Sequence, residues 1–332
     1  MATDEHAAEG SEGRLPRFLR SRLFAAVRAG ISLAVVAGLV IKLSPGDIAR
    51  TVRHADVPLL AGALLLMFVS QTLVVAKWTR LLHARGVRPP LLLVARCYCL
   101  GALVSMVLPT AIGGDVYRVY RVQREPGVRA ADVTMTVVYE RATGYAAMTC
   151  LGALGAAFYF GAAWMGLAVL AGGGALAFLI ALALPRMPLP AVREDHILRN
   201  LVAHRRELIV VYQMAVFSLL IQAVYISSIA VAGRAFGIHI SWWYWAFGAW
   251  LIAIALLLPI AIGGLGVRES SFSALVTHAG AAAAQGASTG FALGVLLVAA
   301  NGIGLALIAL VERTRRPSRA ASIEAGGARV QG

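Results

Sequence analysis

Long apolar stretches separated by short basic connections run through most of the chain. A membrane-spanning helix needs about 20 apolar residues. The pattern predicts full spans at residues 29–43, 58–76, 131–160, 164–184, 208–233 and 290–311. Two more apolar stretches, 91–108 and 242–258, each run into a proline that paired glycines follow. We interpret them as re-entrant hairpins, so the predicted fold class is an all-α integral membrane protein with about six full spans and two re-entrant helical hairpins.

The two Pro/Gly junctions repeat one another. LPTAIGGDVYR begins at Leu108 and LPIAIGGLGVRE begins at Leu258, 150 residues later, and six of their first seven residues are identical. Such a match is a strong sign of an internal repeat in so apolar a chain. We therefore predict two homologous halves, at about residues 58–160 and 208–311.

The distribution of basic residues predicts how these halves are oriented, because Lys and Arg in short loops favour the cytoplasmic side. If both junctions lay in ordinary crossings, 15 basic residues would lie inside and 12 outside. With re-entrant hairpins the count becomes 23 inside and 4 outside, where Arg141 and Arg268 are left out as intramembrane and Arg329 as part of the tail. The hairpins then enter from opposite sides, so we predict inverted repeats, the architecture of secondary transporters. The same count predicts a multi-pass protein of the plasma membrane with both termini in the cytoplasm.

The ends of the chain differ from its apolar middle. Residues 1–13 are polar and small and lack an apolar segment, which predicts a disordered tail rather than a signal peptide. Residues 14–28 alternate Arg with Leu and Phe, the pattern of a basic helix on a membrane surface. The predicted transmembrane domain is 29–315, and 316–332 is a second, basic disordered tail.

Composition excludes a soluble domain. Of the 332 residues, 59% are hydrophobic and only 14% are charged, whereas soluble domains carry about 25% charged residues. We attribute the formal net charge of +14 to loops that face an anionic membrane leaflet, and expect no nucleic-acid partner. The three cysteines lie in apolar stretches, where we expect them to be buried without disulfides. The histidines show no ligand spacing, so we expect no metal and no cofactor.

Three clusters of charged residues stand beside the helix breaks or inside apolar stretches. The first cluster is Gly113, Gly114, Asp115 and Arg118, the second is Glu140 and Arg141, and the third is Gly266, Arg268 and Glu269. A charge inside the bilayer costs about 2.5 to 3.5 kcal/mol on insertion scales, so these residues are candidates for function. Asp115 and Arg118 are three residues apart and share a helix face. Glu140 and Arg141 are adjacent and point to different partners.

Two interpretations of the clusters stay open. In one, the acidic groups cap the hairpin helices and the arginines neutralise them, so that ion pairs only hold the hairpins together. In the other, the same groups line a polar cavity in which an anionic lipid headgroup meets Arg118, Arg141 or Arg268.

Other features of the spans have simpler explanations. We expect Gln71, Gln222 and Asn301 to form hydrogen bonds between helices, and the aromatic run 242–245 to form an interfacial belt. The glycine run 172–174 is a close-packing or flexible point. The sequence contains no Ser-His-Asp, HExxH or phosphate-loop pattern, so we expect no enzyme activity.

Three ordered motifs carry a family resemblance: LPTAIGGDVYR, the pair Glu140-Arg141, and GGLGVRE, with KWTRLLHARG before the first hairpin. With them the chain resembles the transmembrane region of lysylphosphatidylglycerol synthases, also called the flippase-like family, over about residues 20–315. The resemblance implies a flippase-like domain associated with moving polar lipids, with the three clusters as its site. Thr110 and Gly264 depart from the family pattern, which leaves the lipid open. We expect a stand-alone member without the synthase domain.

We predict a flippase-like protein that translocates or binds a polar anionic lipid or a polyprenyl-phosphate-linked lipid. Its headgroup is expected between the first and third clusters, with the second cluster bridging them. The expected partners are membrane lipids, anionic or phosphate-bearing, with a lipid-modifying enzyme as a further candidate. Two alternatives stay open: an integral membrane enzyme acting on a lipid phosphate, which needs a second carboxylate near Asp115, and a non-transporting partner of a lipid-modifying enzyme.

Overall fold

The computed structural model describes Thr51 and residues 53–107, 113–183, 205–257 and 264–315, and every regular element in that part of the chain is an α-helix. In chain order the helices are α1 (Val57–Ala84), α2 (Leu91–Val107), α3 (Gly113–Val122), α4 (Ala130–Phe160), α5 (Ala163–Ala183), α6 (Arg205–Ala235), α7 (Trp242–Leu257), α8 (Val267–His278) and α9 (Ala283–Arg315). The predicted all-α class is confirmed for these residues. The predicted tails, the surface helix 14–28 and the span 29–43 lie outside them.

Three stretches of the described helices are long and apolar enough to cross a membrane. They are Val57–Ala84, Tyr212–Ala235 and Ala283–Thr314. These stretches lie in α1, α6 and α9, where the hydrophobic pattern predicts spans that begin at residues 58, 208 and 290. The chain is therefore built around apolar helices of membrane-crossing length.

The remaining apolar helices are shorter or carry charges. The shorter apolar stretches are Leu91–Met106 of α2, Ala163–Gly173 of α5 and Trp242–Leu256 of α7. The predicted span 131–160 forms the single helix α4, but Asp132, Glu140 and Arg141 lie in its first half. That α4 and α5 cross the membrane therefore stays a prediction.

Helices α1 to α4 and α6 to α9 follow the same order of lengths: one long helix, two short helices and one long helix. Their packing also corresponds. α2 packs against α9 as α7 packs against α4, and α1 packs against α9 as α6 packs against α4, while α1 and α6 pack against each other. Thus α2, the first helix of the first hairpin, lies against α9, the last helix of the second set of four. In the same way α7, the first helix of the second hairpin, lies against α4, the last helix of the first set.

Local signals set where several helices begin and end. Asp56 caps α1, because its Oδ1 accepts a hydrogen bond from the backbone N–H of Leu59 at 3.0 Å. Gly86 follows α1 and Gly161 separates α4 from α5, with φ of 77° and 66°. Glycine adopts this left-handed conformation without strain, so both positions end a helix cleanly.

The aromatic run at the start of α7 belongs to the core. Trp245 is fully buried, and the hydroxyl of Tyr244 donates a hydrogen bond to the carbonyl oxygen of Leu275 at 2.8 Å. Trp243 packs against Phe158 of α4, with ring centroids 4.6 Å apart. The interfacial belt is therefore wrong for Tyr244 and Trp245, because α7 packs against α4, α6 and α8 and buries these side chains between helices.

Helices α5 and α7 pack closely against α4 at positions where small residues stand. A Cβ on Gly155 would lie 2.4 Å from the carbonyl oxygen of Trp243, and one on Gly173 of α5 would lie 2.3 Å from Cγ2 of Thr149. Close packing at the glycine run is thereby confirmed for Gly173. Cys150 is exposed on α4, so the expectation that all three cysteines are buried is wrong for this one.

Polar side chains within the long helices partly cross-link the bundle. Nε2 of Gln222 in α6 donates to the carbonyl oxygen of Gly144 in α4 at 3.3 Å. The hydroxyl of Tyr98 in α2 donates to Oε1 of Gln71 in α1 at 3.4 Å. The predicted bonds between helices are confirmed for both glutamines. Asn301 instead donates to a carbonyl oxygen of its own helix at 2.8 Å, so the prediction is wrong there.

Candidate functional site

The first cluster stands where α2 and α3 come into close contact. Helix α3 begins at Gly113. A Cβ on Gly114 would lie 2.0 Å from the carbonyl oxygen of Gly101 and 2.3 Å from Oγ of Ser105. The backbone N–H of Gly114 donates to that Oγ at 3.1 Å. Only glycine permits this approach, and the close contact fixes the turn of α3 that carries Arg118.

Arg118 is the centre of the site. Its Nη2 donates to Oδ1 of Asp115 at 2.5 Å and its Nη1 donates to Oε2 of Glu140 in α4 at 2.7 Å. The guanidinium also lies over the rings of Trp78 and Tyr98, 4.8 and 5.3 Å from their centroids. With only 3% of its side chain exposed, Arg118 has its charge held by two carboxylates and two aromatic faces.

Arg141 approaches the same cluster from α4. Its Nε donates to Oδ2 of Asp115 and its Nη2 donates to Oδ1, both at 3.0 Å. Its neighbour Glu140 is bonded to Arg118 instead, so the prediction that adjacent Glu140 and Arg141 reach different partners is confirmed. The side chain of Arg141 is 47% exposed, which makes it the accessible member of the group.

A fifth charge, Lys77 of α1, was not predicted as a site residue. Its Nζ donates to the backbone carbonyl oxygen of Glu140 at 2.9 Å, and the residue is buried. The charge count treats Lys77 and Arg118 as cytoplasmic loop residues, but both are buried between helices. When these two residues are left out of the count, the basic loop residues still lie mostly on the predicted cytoplasmic side. In the sequence, Lys77 directly follows the apolar residues 73–76 and is the first residue of the motif KWTRLLHARG.

These charges form one group, which we call the Arg118 network. It consists of Lys77, Asp115, Arg118, Glu140 and Arg141. Three cations face two carboxylates, so the network has a formal surplus of one positive charge. All its members except Arg141 are largely shielded from solvent. Burial of charges is costly unless they are paired, and this network contains one more cation than carboxylates.

Aromatic residues outside the three predicted clusters hold the network in place. Nε1 of Trp78 donates to Oγ1 of Thr136 at 3.0 Å, and this hydroxyl in turn donates to the carbonyl oxygen of Val133 at 2.7 Å. Trp78 is fully buried. The indole therefore bridges α1 and α4 and presents its face to Arg118. In the sequence, Trp78 is marked as the second residue of the motif KWTRLLHARG.

The third cluster, at the second hairpin, has a different arrangement. The backbone N–H of Gly266 donates to Oε2 of Glu269 at 2.6 Å, so the carboxylate caps the start of α8. The other carboxylate oxygen accepts bonds from Nε and Nη2 of Arg268, at 3.3 and 3.0 Å. Gly264 and Gly266 have φ of 73° and 83°, which glycine adopts without strain. The charges of this cluster are satisfied within one turn of α8.

Arg268 packs against α9. A Cβ on Gly294 of α9 would lie 2.2 Å from its Nη2. Helix α6 contacts α4 beside the Arg118 network, where Gln222 donates to the carbonyl oxygen of Gly144. Within the described ranges, no hydrogen bond or ion pair joins the third cluster to the Arg118 network. That Glu140 and Arg141 bridge the first and third clusters around a headgroup thus stays a prediction.

The match to known families covers this whole site. A model of the family described as lysylphosphatidylglycerol synthase TM region matches residues 26–298. The chain belongs to this family. The matched range contains both hairpins and every residue of the three clusters, so the family resemblance noted from the motifs is confirmed. The protein is thus a multi-pass membrane protein of the family. No curated protein matches the chain.

Metal chemistry receives no support from the geometry. Within the part of the chain that the structure describes, no three His, Cys, Asp or Glu side chains come together in a way that could hold a metal ion. The carboxylates of the Arg118 network are bonded to guanidinium groups. The expectation of no metal and no cofactor stays a prediction.

Proposed function

We propose that this protein binds a polar lipid with an anionic, phosphate-bearing headgroup at the Arg118 network and moves it across the plasma membrane, without enzymatic activity. The observation that carries the proposal is the charge of the network, three cations against two carboxylates in a largely buried setting. A phosphodiester headgroup carries one negative charge. Its binding brings the network to neutrality, which favours an anionic ligand because buried charges are stable only when paired.

Arg141 is the first contact in this proposal. Its guanidinium fork meets both carboxylate oxygens of Asp115 at 3.0 Å, and about half of its side chain is exposed. A phosphate presents a similar pair of oxygens to such a fork. We propose that the headgroup displaces Asp115 from Arg141. Asp115 then keeps its bond to Arg118, so no carboxylate is left unpaired during the exchange.

Transport also needs a fold that can expose the site to either side. The matching helix order and the corresponding packing of α1 to α4 and α6 to α9 support two homologous halves. The one-sided charge count supports their inversion. We propose that the transmembrane domain, residues 29–315, is an inverted repeat whose two hairpins enter from opposite sides, with both termini in the cytoplasm. Broken helices inside a membrane are tolerated where protein surrounds them or a cavity adjoins them.

Cysteine labelling tests this topology. Gln123→Cys and Asn200→Cys are introduced separately into a Cys150→Ser background, because Cys150 is the exposed native thiol among the described residues. We expect an impermeant maleimide to modify neither position in intact cells and both after permeabilisation, since both basic loops are predicted to be cytoplasmic. Modification of either position in intact cells contradicts the inverted arrangement.

Native mass spectrometry of the detergent-extracted protein tests the binding site. We expect the wild-type protein to retain an anionic, phosphate-bearing lipid, and Arg118→Lys to lose most of it. Lysine lacks the planar fork that holds Asp115 and Glu140 together, so Asp115 then competes with the headgroup for Arg141. Arg121→Lys is the matched control on the same helix, since Arg121 pairs with Glu125 at the surface. Equal lipid retention by all three proteins, each folded to the same extent, removes the Arg118 network as the binding site.

One observation keeps an enzyme acting on a lipid phosphate as a second candidate. The enzyme alternative needs a second carboxylate near Asp115, and in the structure Asp115 and Glu140 are bonded to the same guanidinium, at 2.5 and 2.7 Å. Incubating the reconstituted protein with phosphatidylglycerol and analysing the lipids by mass spectrometry separates the candidates. Translocation without any new lipid species supports transport. A phosphate-cleaved product supports the enzyme.

The third candidate is a non-transporting partner of a lipid-modifying enzyme. The basic loops beside α2, α3 and α4 contain Arg88, Arg124 and Arg129, which suits contact with an acidic protein surface or with anionic lipid. Reconstitution of the protein alone decides between them. Translocation by the purified chain excludes the need for a partner, whereas its complete absence favours the partner role.

A further inference from the structure

An ion pair joins the first set of four helices, α1 to α4, to the second set, α6 to α9. Nη2 of Arg96 in α2 donates a hydrogen bond to Oε2 of Glu312 in α9, and the two side chains are 42% and 33% exposed. Every other ion pair in which the structure describes both partners lies within one set and its loops. Among the described residues, Arg96 and Glu312 thus form the ion pair that crosses between the sets.

The corresponding contact, between α7 and α4, is held by apolar packing instead. A Cβ on Gly152 of α4 would lie 2.6 Å from Cβ of Trp250. The rings of Phe160 in α4 and Phe247 in α7 have centroids 5.5 Å apart. Phe247 and Trp250 also pack against buried alanines of α4 in one hydrophobic cluster. Because these groups interlock, α7 cannot leave α4 without losing many packing contacts.

The contact between α2 and α9 is packed more loosely. In the part of the chain that the structure describes, no hydrophobic cluster contains residues of both helices. Val94 and Cys97 of α2 pack with residues of α1, α3 and α4, all in the first set. A Cβ on Gly304 of α9 would lie 3.0 Å from Sγ of Cys99, the end of a side chain rather than a backbone atom. Two corresponding contacts therefore differ, one apolar and interlocked, the other polar and open.

Helix α2 also covers the Arg118 network. The ring centroid of Tyr98 lies 5.3 Å from the guanidinium of Arg118, and a Cβ on Gly101 would lie 2.9 Å from Cγ of the same arginine. Arg96 stands close to both residues along α2, about 3 Å before Tyr98 and about 8 Å before Gly101 at 1.5 Å per residue. The ion pair with Glu312 therefore holds in place the helix that covers the site.

We propose that Arg96 and Glu312 form a latch that closes a passage between α2 and α9, through which a lipid headgroup reaches the Arg118 network. A partly exposed ion pair contributes little to stability, so this contact opens and closes at low cost. The interlocked contact between α4 and α7 stays closed while the latch opens. In an inverted repeat, opening one of two corresponding contacts exposes the site to one side of the membrane. Control of transport rests on the proposed function, whereas opening of the contact does not.

Distances between spin labels, measured by pulsed electron paramagnetic resonance on the full chain in detergent, test whether the pair holds α2 against α9. One pair of labels is attached to Leu91→Cys and Leu310→Cys, at exposed positions of α2 and α9. A second pair, at Leu154→Cys and Leu251→Cys, reports on the contact between α4 and α7. Both pairs are placed in a Cys150→Ser background, which removes the exposed native thiol of the described residues.

Charge reversal then opens and recloses the latch. We expect Arg96→Glu to shift the distance between α2 and α9 to longer values, because two acidic side chains repel each other there. Combining it with Glu312→Arg restores the ion pair and the original distance. The distance between α4 and α7 should stay the same in both. Arg121→Glu is the matched control, since the pair of Arg121 with Glu125 is similarly exposed, 41% and 30%, but lies within the first set.

Two results of the distance measurements overturn the latch. One is an unchanged distance between α2 and α9 in Arg96→Glu. The other is a longer distance that the added Glu312→Arg does not restore, since a purely structural disturbance is not repaired by a second charge reversal.

Cross-linking tests whether the latch controls transport. Arg96→Cys and Glu312→Cys are combined in the Cys150→Ser background and joined by a bifunctional methanethiosulfonate, which a reductant removes. We expect the cross-linked protein to translocate phosphatidylglycerol about tenfold more slowly, or less, than the same protein after reduction. An equal rate in the two states overturns the latch as a control of transport. If neither the reduced protein nor the wild type moves lipid, the proposed function fails, and the spin-label distances alone decide whether the latch stands.

Discussion

Arg118 and Arg268 occupy matching positions in the two Pro/Gly junctions, ten residues after the leucine that begins each junction. Arg118 is bonded to Asp115 of α3 and to Glu140 of α4, at 2.5 and 2.7 Å, so its charge joins two helices. Arg268 is bonded to Glu269, the next residue of α8, at 3.0 Å. The first hairpin thus contributes to a network shared by several helices, whereas the second satisfies its charges within itself.

The position of one carboxylate relative to the arginine explains this difference. Asp115 precedes Arg118 by three residues and lies on the same helix face, which leaves both groups pointing toward α4. In the second junction Leu265 stands where Asp115 stands in the first. The acid is instead Glu269, at the third helical position, where it reaches back to the backbone N–H of Gly266. A repeated backbone break therefore does not imply a repeated site.

The largest expected effect comes from the backbone contact of the first hairpin. In Gly114→Ala the new Cβ falls 2.0 Å from the carbonyl oxygen of Gly101, and two backbones cannot move apart without separating α2 from α3. We expect a loss of about 3 kcal/mol or more, seen as little folded protein after extraction. Gly172→Ala is the control, because nothing lies within 4 Å of a Cβ there. Similar thermal stability of the two variants contradicts a close backbone contact between α2 and α3.

Removal of a carboxylate from the Arg118 network comes next. Glu140→Ala leaves Arg118 with Asp115 as its one carboxylate in a buried setting, so we expect a loss of about 3 kcal/mol of stability, the low end of the cost of breaking a buried ion pair. Gln71→Ala removes a single long hydrogen bond to Tyr98, of 3.4 Å, and should cost about 1 kcal/mol. Thermal unfolding in the same detergent ranks the two. Equal unfolding temperatures would show that Glu140 does not hold the network together.

A smaller effect is expected at the second hairpin. Gly294→Ala places a Cβ 2.2 Å from Nη2 of Arg268, the far end of a flexible side chain that can shift aside. We expect a loss of about 1 kcal/mol, at the low end for overpacking. Thermal unfolding of Gly294→Ala and Gly114→Ala, measured side by side, compares the packing of the two hairpins directly. If Gly294→Ala proves as damaging as Gly114→Ala, the second hairpin is as rigidly packed as the first.

Sequence reasoning succeeded where a relation is local and failed where it depends on packing. The pairing of Asp115 with Arg118 follows from a spacing of three, and the divergence of Glu140 from Arg141 follows from helix geometry. Lys77 joins the network only because α1 packs antiparallel to α4, with Lys77 beside Glu140 and Arg85 beside Asp132, which no local pattern reveals. Trp245 is buried for the same kind of reason, since other helices cover a position that composition alone assigns to a membrane interface.

The two junctions also show how a repeat can mislead. The glycines of the two junctions lie at the start of α3, whose first residues are Gly113 and Gly114, and directly before α8, where Gly264 and Gly266 precede Val267. The shared residues suggest equal roles for Arg118 and Arg268, but the matching positions beside the arginines differ, Asp115 in one and Leu265 in the other. The ion pairs that each arginine forms depend on those differing positions, because two charged side chains form an ion pair only where they are in contact.

The most direct test of the account compares translocation by Arg118→Lys and Arg268→Lys in reconstituted vesicles, with thermal stability measured on the same preparations. Arg121→Lys serves as the surface control. Lysine keeps the charge and loses the fork, so we predict that Arg118→Lys lowers the rate of phosphatidylglycerol translocation about tenfold or more while the protein stays folded. Arg268→Lys should lower it by less than about twofold. Unchanged translocation in Arg118→Lys, or a greater loss in Arg268→Lys, would contradict the assignment of headgroup binding to the Arg118 network.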